Sequence, residues 1–272
     1  IQWYMYKNDG QGFSRNYGMT KTKGDYLVIL DSDILVDATY IENLDTHLKN
    51  DWLDAFGGPD KAHDSFTTVQ KSIDYTMTSL FTTGGIRGNK KHVGQFYPRS
   101  FNMGFSREVY EQTKGFNYPY FGEDIDLSER ILQKGYKVGL IESAYVYHKR
   151  KKDFIGLFKQ MFFFGRARIQ ISLLFPKSLK LTHFFPTAFT LYTICAFLLS
   201  FINTKFSLLL LPIFLYMFLI FIGGTLRFKS IRIGLLATIA LYYQMFGYGL
   251  GFLKDFIRRI VFKQDNLVKN KD

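Results

Sequence analysis

Apolar residues follow two different patterns along this chain. In the first half they come in short runs broken by glycine, proline and charged residues; in the second they fill long blocks. The plainest short run is GDYLVIL at 24–30. It shows no alternation of polar and apolar positions, so it predicts a strand covered on both faces, as in a parallel sheet. The stretch EDIDLSERILQKG predicts a short helix instead. Its acidic residues crowd the first turn, where the helix dipole favours them. Ile125, Leu127, Ile131 and Leu132 supply the apolar contacts, and Gly135 supplies the stop.

The long blocks lie at Leu181–Thr204, between Lys205 and Arg227, and between Arg232 and Lys254, and none carries an internal charge. Each approaches the roughly 20 residues a helix needs to cross hydrocarbon. Three in succession predict a transmembrane region. Ahead of them, DFIGLFKQMFFFGRARIQISLLF mixes Phe, Leu and Ile with Lys159, Arg166 and Arg168. That mixture predicts an amphipathic helix at the interface, its cations reaching lipid phosphates; a core helix is the alternative. The expected organisation is an α/β domain over 1–150, an interfacial helix and connector over 151–182, a transmembrane region over 183–254 and a basic tail over 255–272.

Charge sharpens this division. Residues 1–148 hold 16 Lys+Arg against 19 Asp+Glu, a balance of −3, while residues 149–272 hold 19 against 4, a balance of +15; together these give the chain's +12. Because the basic residues border the apolar blocks, they point to membrane lipids rather than nucleic acid. The positive-inside rule places the front half in the cytoplasm. Three full spans would then put the basic tail outside, so the third block is either re-entrant, interfacial or an unconventional span. The single cysteine, Cys195, lies in an apolar block and excludes a disulfide framework or a cysteine metal site.

The candidate chemistry sits at the end of the predicted strand. YLVIL runs straight into Asp31-Ser-Asp33. In open α/β sheets ligands bind beyond the carboxyl ends of strands. In extended chain, residues two apart turn their side chains the same way. Two converging carboxylates suit Mg²⁺ or Mn²⁺, with phosphate oxygens completing the shell. A turn capped by an aspartate is the alternative.

GFSRNYGMTKTKGDYLVILDSDILVD resembles the central segment of family-2 glycosyltransferases, in which a Gly-x-x-Arg-Asn-x-Gly helix leads into the strand carrying Asp-x-Asp. FNMGFSREVYEQTKGFNYPYFGEDIDLSERILQKGYKVGLIESAYVYH resembles the acceptor side of the same bacterial, membrane-associated enzymes, and the likeness runs over 12–165. The resemblance implies a GT-A α/β domain whose first strand–helix unit would precede Ile1. It implies inverting transfer from a nucleotide-diphosphate sugar to a cell-envelope glycan or lipid-linked acceptor, with Mn²⁺ or Mg²⁺ as cofactor. Asp124 becomes the base, with Glu123 binding or orienting the acceptor. Asp31 and Asp33 hold metal and donor, His148 becomes a third metal ligand, and Arg15 and Asn16 stand near the nucleotide. The basic, glycine-rich loop Gly84–Arg99 could close over phosphates through Arg87, Lys90, Lys91 or Arg99; a solvated loop is the alternative.

One departure bears on the product. Processive members carry Gln-x-x-Arg-Trp on the helix before their channel, and QMFFFGRARIQ has no Trp. Single addition is therefore expected. Two rival readings stand beside it. A phosphohydrolase of the haloacid-dehalogenase type would need Thr or Val where Leu35 stands. A non-catalytic, membrane-tethered scaffold would need no site at all.

Overall fold

The structure, a computed structural model, describes residues 2–84, 96–120 and 122–264. In chain order it contains α1 (Gln11–Thr20), β1 (Tyr26–Leu30), β2 (Ile34–Val36), α2 (Tyr40–Asn50), β3 (Ala55–Gly57), β4 (Asp60–Lys61), α3 (Thr68–Thr78) and α4 (Leu80–Thr83). There follow β5 (Asn102–Ser106), α5 (Arg107–Thr113), α6 (Glu123–Gln133), β6 (Val138–Leu140) and β7 (Val146–His148). The chain ends in α7 (Phe154–Leu174), α8 (Phe185–Ile202), α9 (Leu211–Phe228) and α10 (Ile231–Asp255).

Two compact units divide these elements. The first takes Ile1–Asp64 and Thr83–Lys149; the second takes Ser65–Thr82 and Arg150–Asp272. The expectation of one continuous domain over 1–150 is corrected at Ser65–Thr82. This segment holds α3, which a capping box between Thr67 and Gln70 starts. Ile73 and Met77 pack with Leu157, Met161 and Ala240, all residues of the second unit. Sequence position alone had put α3 with the strands; its buried apolar face decides otherwise.

The first unit is built on a mixed sheet of order β1-β5-β3-β6, with β1 and β3 antiparallel to β5 and β3 parallel to β6. The parallel environment expected of β1 is therefore corrected: among the described residues its sheet neighbour is β5, antiparallel to it. Its apolar run has another cause. Leu27 and Ile29 enter one core with Met103, Phe105 and Leu127, while Tyr26 and Val28 pack against a second with Phe56, Ile141 and Val146. Both faces are covered, whichever way the neighbour runs. A smaller sheet, β2-β7-β4, pairs β2 antiparallel and β4 parallel to β7.

Among the described residues of the second unit three helices are long and apolar enough to cross a membrane: Leu181–Ile202, Thr204–Phe228 and Ile231–Val261. The third is continuous and half enclosed, against 22% and 11% for the others. At 25 residues α10 alone is about 37 Å long, more than hydrocarbon thickness. Beyond it a π-helical segment, Phe256–Val261, carries the helix past the expected tail boundary at 255. α7 packs along α10 at glycines: a Cβ at Gly165 would strike the Tyr248 carbonyl oxygen, and one at Gly251 the Phe162 carbonyl oxygen. Small residues let helix backbones approach closely in this way. Arg166 on α7 is turned to Asp255 at 3.1 Å, which corrects its expected reach toward lipid phosphate.

Candidate functional site

The site begins where β1 stops. The Asp31 N–H donates to the Phe101 carbonyl at 3.2 Å, and Ser32 and Asp33 turn the chain into β2. The extended geometry expected of Asp31 and Asp33 is thus corrected: a turn separates them, and their carboxylates take different partners. Asp31 accepts from Arg15 at 2.5 Å. Asp33 joins His148 instead, because the antiparallel register sets Ile34 opposite His148 and so carries Asp33 to the end of β7.

The Asp33 Oδ1 lies 3.4 Å from His148 Nε2. Two ligands about 2.1 Å from a shared cation and about 90–110° apart stand about 3.0–3.4 Å from each other, so this pair fits Mn²⁺ or Mg²⁺. Asp60 on β4 approaches the other ring nitrogen, His148 Nδ1, at 3.8 Å. The ring also lies against Phe101, with centroids 5.1 Å apart. Among the described residues no group of three or more His, Cys, Asp or Glu encloses a metal. Two protein ligands leave the rest of a shell to phosphate and water, which is how Mg²⁺ is usually held.

The second part of the site is the start of α6. Gly12 explains how α1 reaches it. The Gly12 N–H donates to the Pro119 carbonyl at 2.9 Å, and a Cβ there would strike the Tyr118 carbonyl oxygen. Docked this closely on the segment before α6, α1 presents Gln11 and Arg15, four residues apart and hence on one face. Both reach Glu123 Oε1, Gln11 Nε2 at 2.6 Å and an Arg15 guanidinium nitrogen at 3.0 Å. Glu123 is 3% exposed. Burial first, then the neighbouring Asp124 charge, pushes its carboxyl up to about 7, with Arg15 opposing.

Asp124 is the more open of the two. One carboxyl oxygen accepts from the Ile125 N–H at 2.8 Å; the other faces an Arg99 guanidinium nitrogen at 3.5 Å. Since one guanidinium touches both Asp31 and Glu123, the end of β1 and the start of α6 stand within a single side chain of each other.

Residues 4–113 match the family described as Glycosyl transferase family 2. That stretch is about two fifths of the chain, and the family is what this part of the chain is similar to. The match implies a nucleotide-sugar donor and an acceptor, and the family commonly uses a divalent metal. A search of curated proteins returned no match.

The match covers Arg15, Asn16, Asp31 and Asp33 and ends before Glu123, Asp124 and His148. The last three join the site through geometry. Asn16 does not: its amide donates to the Phe116 carbonyl and accepts from the Phe116 N–H, both at 2.8 Å. Both polar ends are held by backbone, so Asn16 pins α1 to the turn at Gly115. Of the loop Gly84–Arg99, residues 85–95 lie outside the described residues, including Arg87, Lys90 and Lys91; Arg99 is described and faces Asp124. Asp60 and Gln11 were not anticipated. A Gly-Gly-Pro-Asp turn gives no hint of a histidine 88 positions later; only the parallel β4–β7 pairing brings it there. Gln11 could have been found, as it stands one helical turn before Arg15.

Proposed function

We propose that this protein is a metal-dependent, inverting glycosyltransferase that moves one sugar from a nucleotide-diphosphate donor to a cell-envelope glycan or a lipid-linked acceptor at the cytoplasmic face of a membrane. The family match supports transfer in general. The observation that carries the finer reading is the Asp33–His148 pair, two ligating atoms 3.4 Å apart at adjoining strand ends.

In this reading Asp33 and His148 would hold the cation. A bound divalent cation would offset the charge that grows on the departing diphosphate. Asp124 takes the proton of the acceptor hydroxyl through the oxygen that faces Arg99. The acceptor oxygen bonds to the anomeric carbon, the bond from that carbon to the diphosphate oxygen breaks, and the diphosphate leaves with the electron pair, so the configuration inverts. Three membrane-length helices after the domain favour an acceptor at a membrane, and the missing Trp in QMFFFGRARIQ favours single addition.

The test is a screen of sugar nucleotides against membranes containing the chain, with Mn²⁺, with Mg²⁺ and with a chelator. Metal-dependent release of nucleoside diphosphate, abolished in Asp33→Ala, is the expected result. No release from any donor, with no sugar nucleotide bound in calorimetry, would leave the scaffold reading standing.

A further inference from the structure

Arg15 makes two ion pairs from one guanidinium, one nitrogen on Asp31 at 2.5 Å and another on Glu123 at 3.0 Å. Its own side chain is 14% exposed, and it lies over the Phe116 ring at 5.6 Å. Glu123 is held further by Gln11 at 2.6 Å and Ser100 at 3.4 Å. A planar fork reaching two carboxylates in fixed directions is a geometry arginine supplies and lysine does not. Each partner leads to a different half of the site. Asp31 is the last residue before the turn to Asp33; Glu123 is the residue before Asp124.

We propose that Arg15 is a positioning residue for glycosyl transfer: it fixes the start of α6, and so Asp124, against the end of β1, and makes no contact with the donor diphosphate. This rests on the proposed transfer reaction and changes what its Arg-Asn pair does. Two carboxylates set the guanidinium's direction and more than balance its single positive charge, so it offers a diphosphate no net attraction. Glu123, by the same geometry, is the anchor of this strut rather than a group that meets the acceptor. The separation matters because an error of about 1 Å in the placement of a catalytic group lowers the rate about 100-fold.

The experiment compares Arg15→Met, Arg15→Lys and the double variant Arg15→Met/Glu123→Leu in the full chain. Each is titrated with UDP, GDP and dTDP in the presence of Mn²⁺, and kcat and KM are measured with the donor found in the screen. In Arg15→Met, kcat is expected to fall about 100-fold with nucleotide affinity within about threefold of the unmutated protein. Arg15→Lys keeps charge but reaches one carboxylate at a time, so its kcat should fall about tenfold. In the double variant no buried carboxylate is left unpaired, so thermal stability should recover while kcat stays low. That split separates positioning from mere structural support. A tenfold or greater loss of nucleotide affinity in Arg15→Met would make Arg15 a diphosphate contact and overturn the proposal, as would kcat recovering along with stability in the double variant. Inactivity of the unmutated protein with every donor is a different failure, seen before any variant is made. It would remove the transfer reading and the proposal with it.

Discussion

Two carboxylates of the second unit and two at the candidate site of the first are held in opposite ways. In the second, Asp74 and Asp255 are completely buried. Asp74 lies between Arg150 at 2.9 Å and Arg227 at 3.3 Å; Asp255 lies between Arg166 at 3.1 Å and Arg259 at 3.0 Å, with Gln170 beside it. In the first unit Asp33 keeps 59% of its side chain in solvent and Asp124 keeps 17%, and His148 and Arg99 stand off from them at 3.4 and 3.5 Å. A buried carboxylate enclosed by two guanidiniums is already neutralised and can only hold helices together. One that is partly solvated with a distant partner can exchange that partner for a metal, a phosphate or a proton. The difference separates staple from site without reference to any family.

The largest test of this contrast is Asp124→Asn. Removing a general base lowers turnover by about 10²- to 10⁴-fold. The side chain is neither enclosed nor saturated, so the thermal midpoint should hardly move; steady-state kinetics and a melting curve on the same preparation check both. Asp255→Ala should do the reverse. It leaves Arg166 and Arg259 facing each other without the charge between them, and breaking a buried pair costs about 3–5 kcal/mol. Loss of folded protein from detergent extracts, with residual activity scaling to the folded fraction, is the expected outcome. Equal loss of stability in both variants would erase the distinction.

How much of this could be read from the sequence follows the same division. β1, α6 with its stop at Gly135 and the three membrane-length helices were all legible, because each is set by a local pattern: apolar run, acidic first turn, positive-φ glycine, unbroken apolarity. Pairing was not. Whether β1 meets a parallel or an antiparallel neighbour leaves no trace in YLVIL when both faces are covered. Asp31 and Asp33 looked alike at two-residue spacing, and only the turn at Ser32 and the β2–β7 register show that they serve different neighbours. Asp74 and Asp255 were invisible as staples for the same reason: their arginines come from 76, 89 and 153 positions away, with only Arg259 close by.

Glu123 crosses the boundary between the two classes and so sharpens it. It is as buried as the staples, yet it has a single guanidinium, which it shares with Asp31. Its carboxyl, ordinarily near 4.5, is raised to about 7. A folded-state pKa above the unfolded one means that the folded protein holds this proton longer. The stabilisation is complete below about pH 4.5 and is lost as pH rises through about 7, an effect of at most roughly 3 kcal/mol. Glu123→Gln cannot titrate, so its unfolding free energy should lack that downward slope when both proteins are measured between pH 4 and pH 8. Parallel curves would show that Arg15 compensates Glu123 as fully as two arginines compensate Asp255.

The smallest effect tests whether distance alone could have drawn the line. On α2, Lys49 and Asp45 lie 2.7 Å apart, closer than either contact of Asp74 with its arginines, but both side chains are more than half exposed. Water screens such a pair, and holding two long side chains in one arrangement costs entropy, so its net contribution is about 0.3–0.5 kcal/mol at i, i+4 spacing. Lys49→Ala should therefore shift the melting curve by barely more than the error of measurement, and 0.5 M salt should remove even that. Arg227→Ala removes a longer contact, 3.3 Å, from a carboxylate with no exposure at all and should cost several times more. If the short exposed pair proved the costlier to break, solvent exposure would not be what separates the site from the staples, and the partly solvated Asp33 and Asp124 would lose their claim to be the groups that exchange partners.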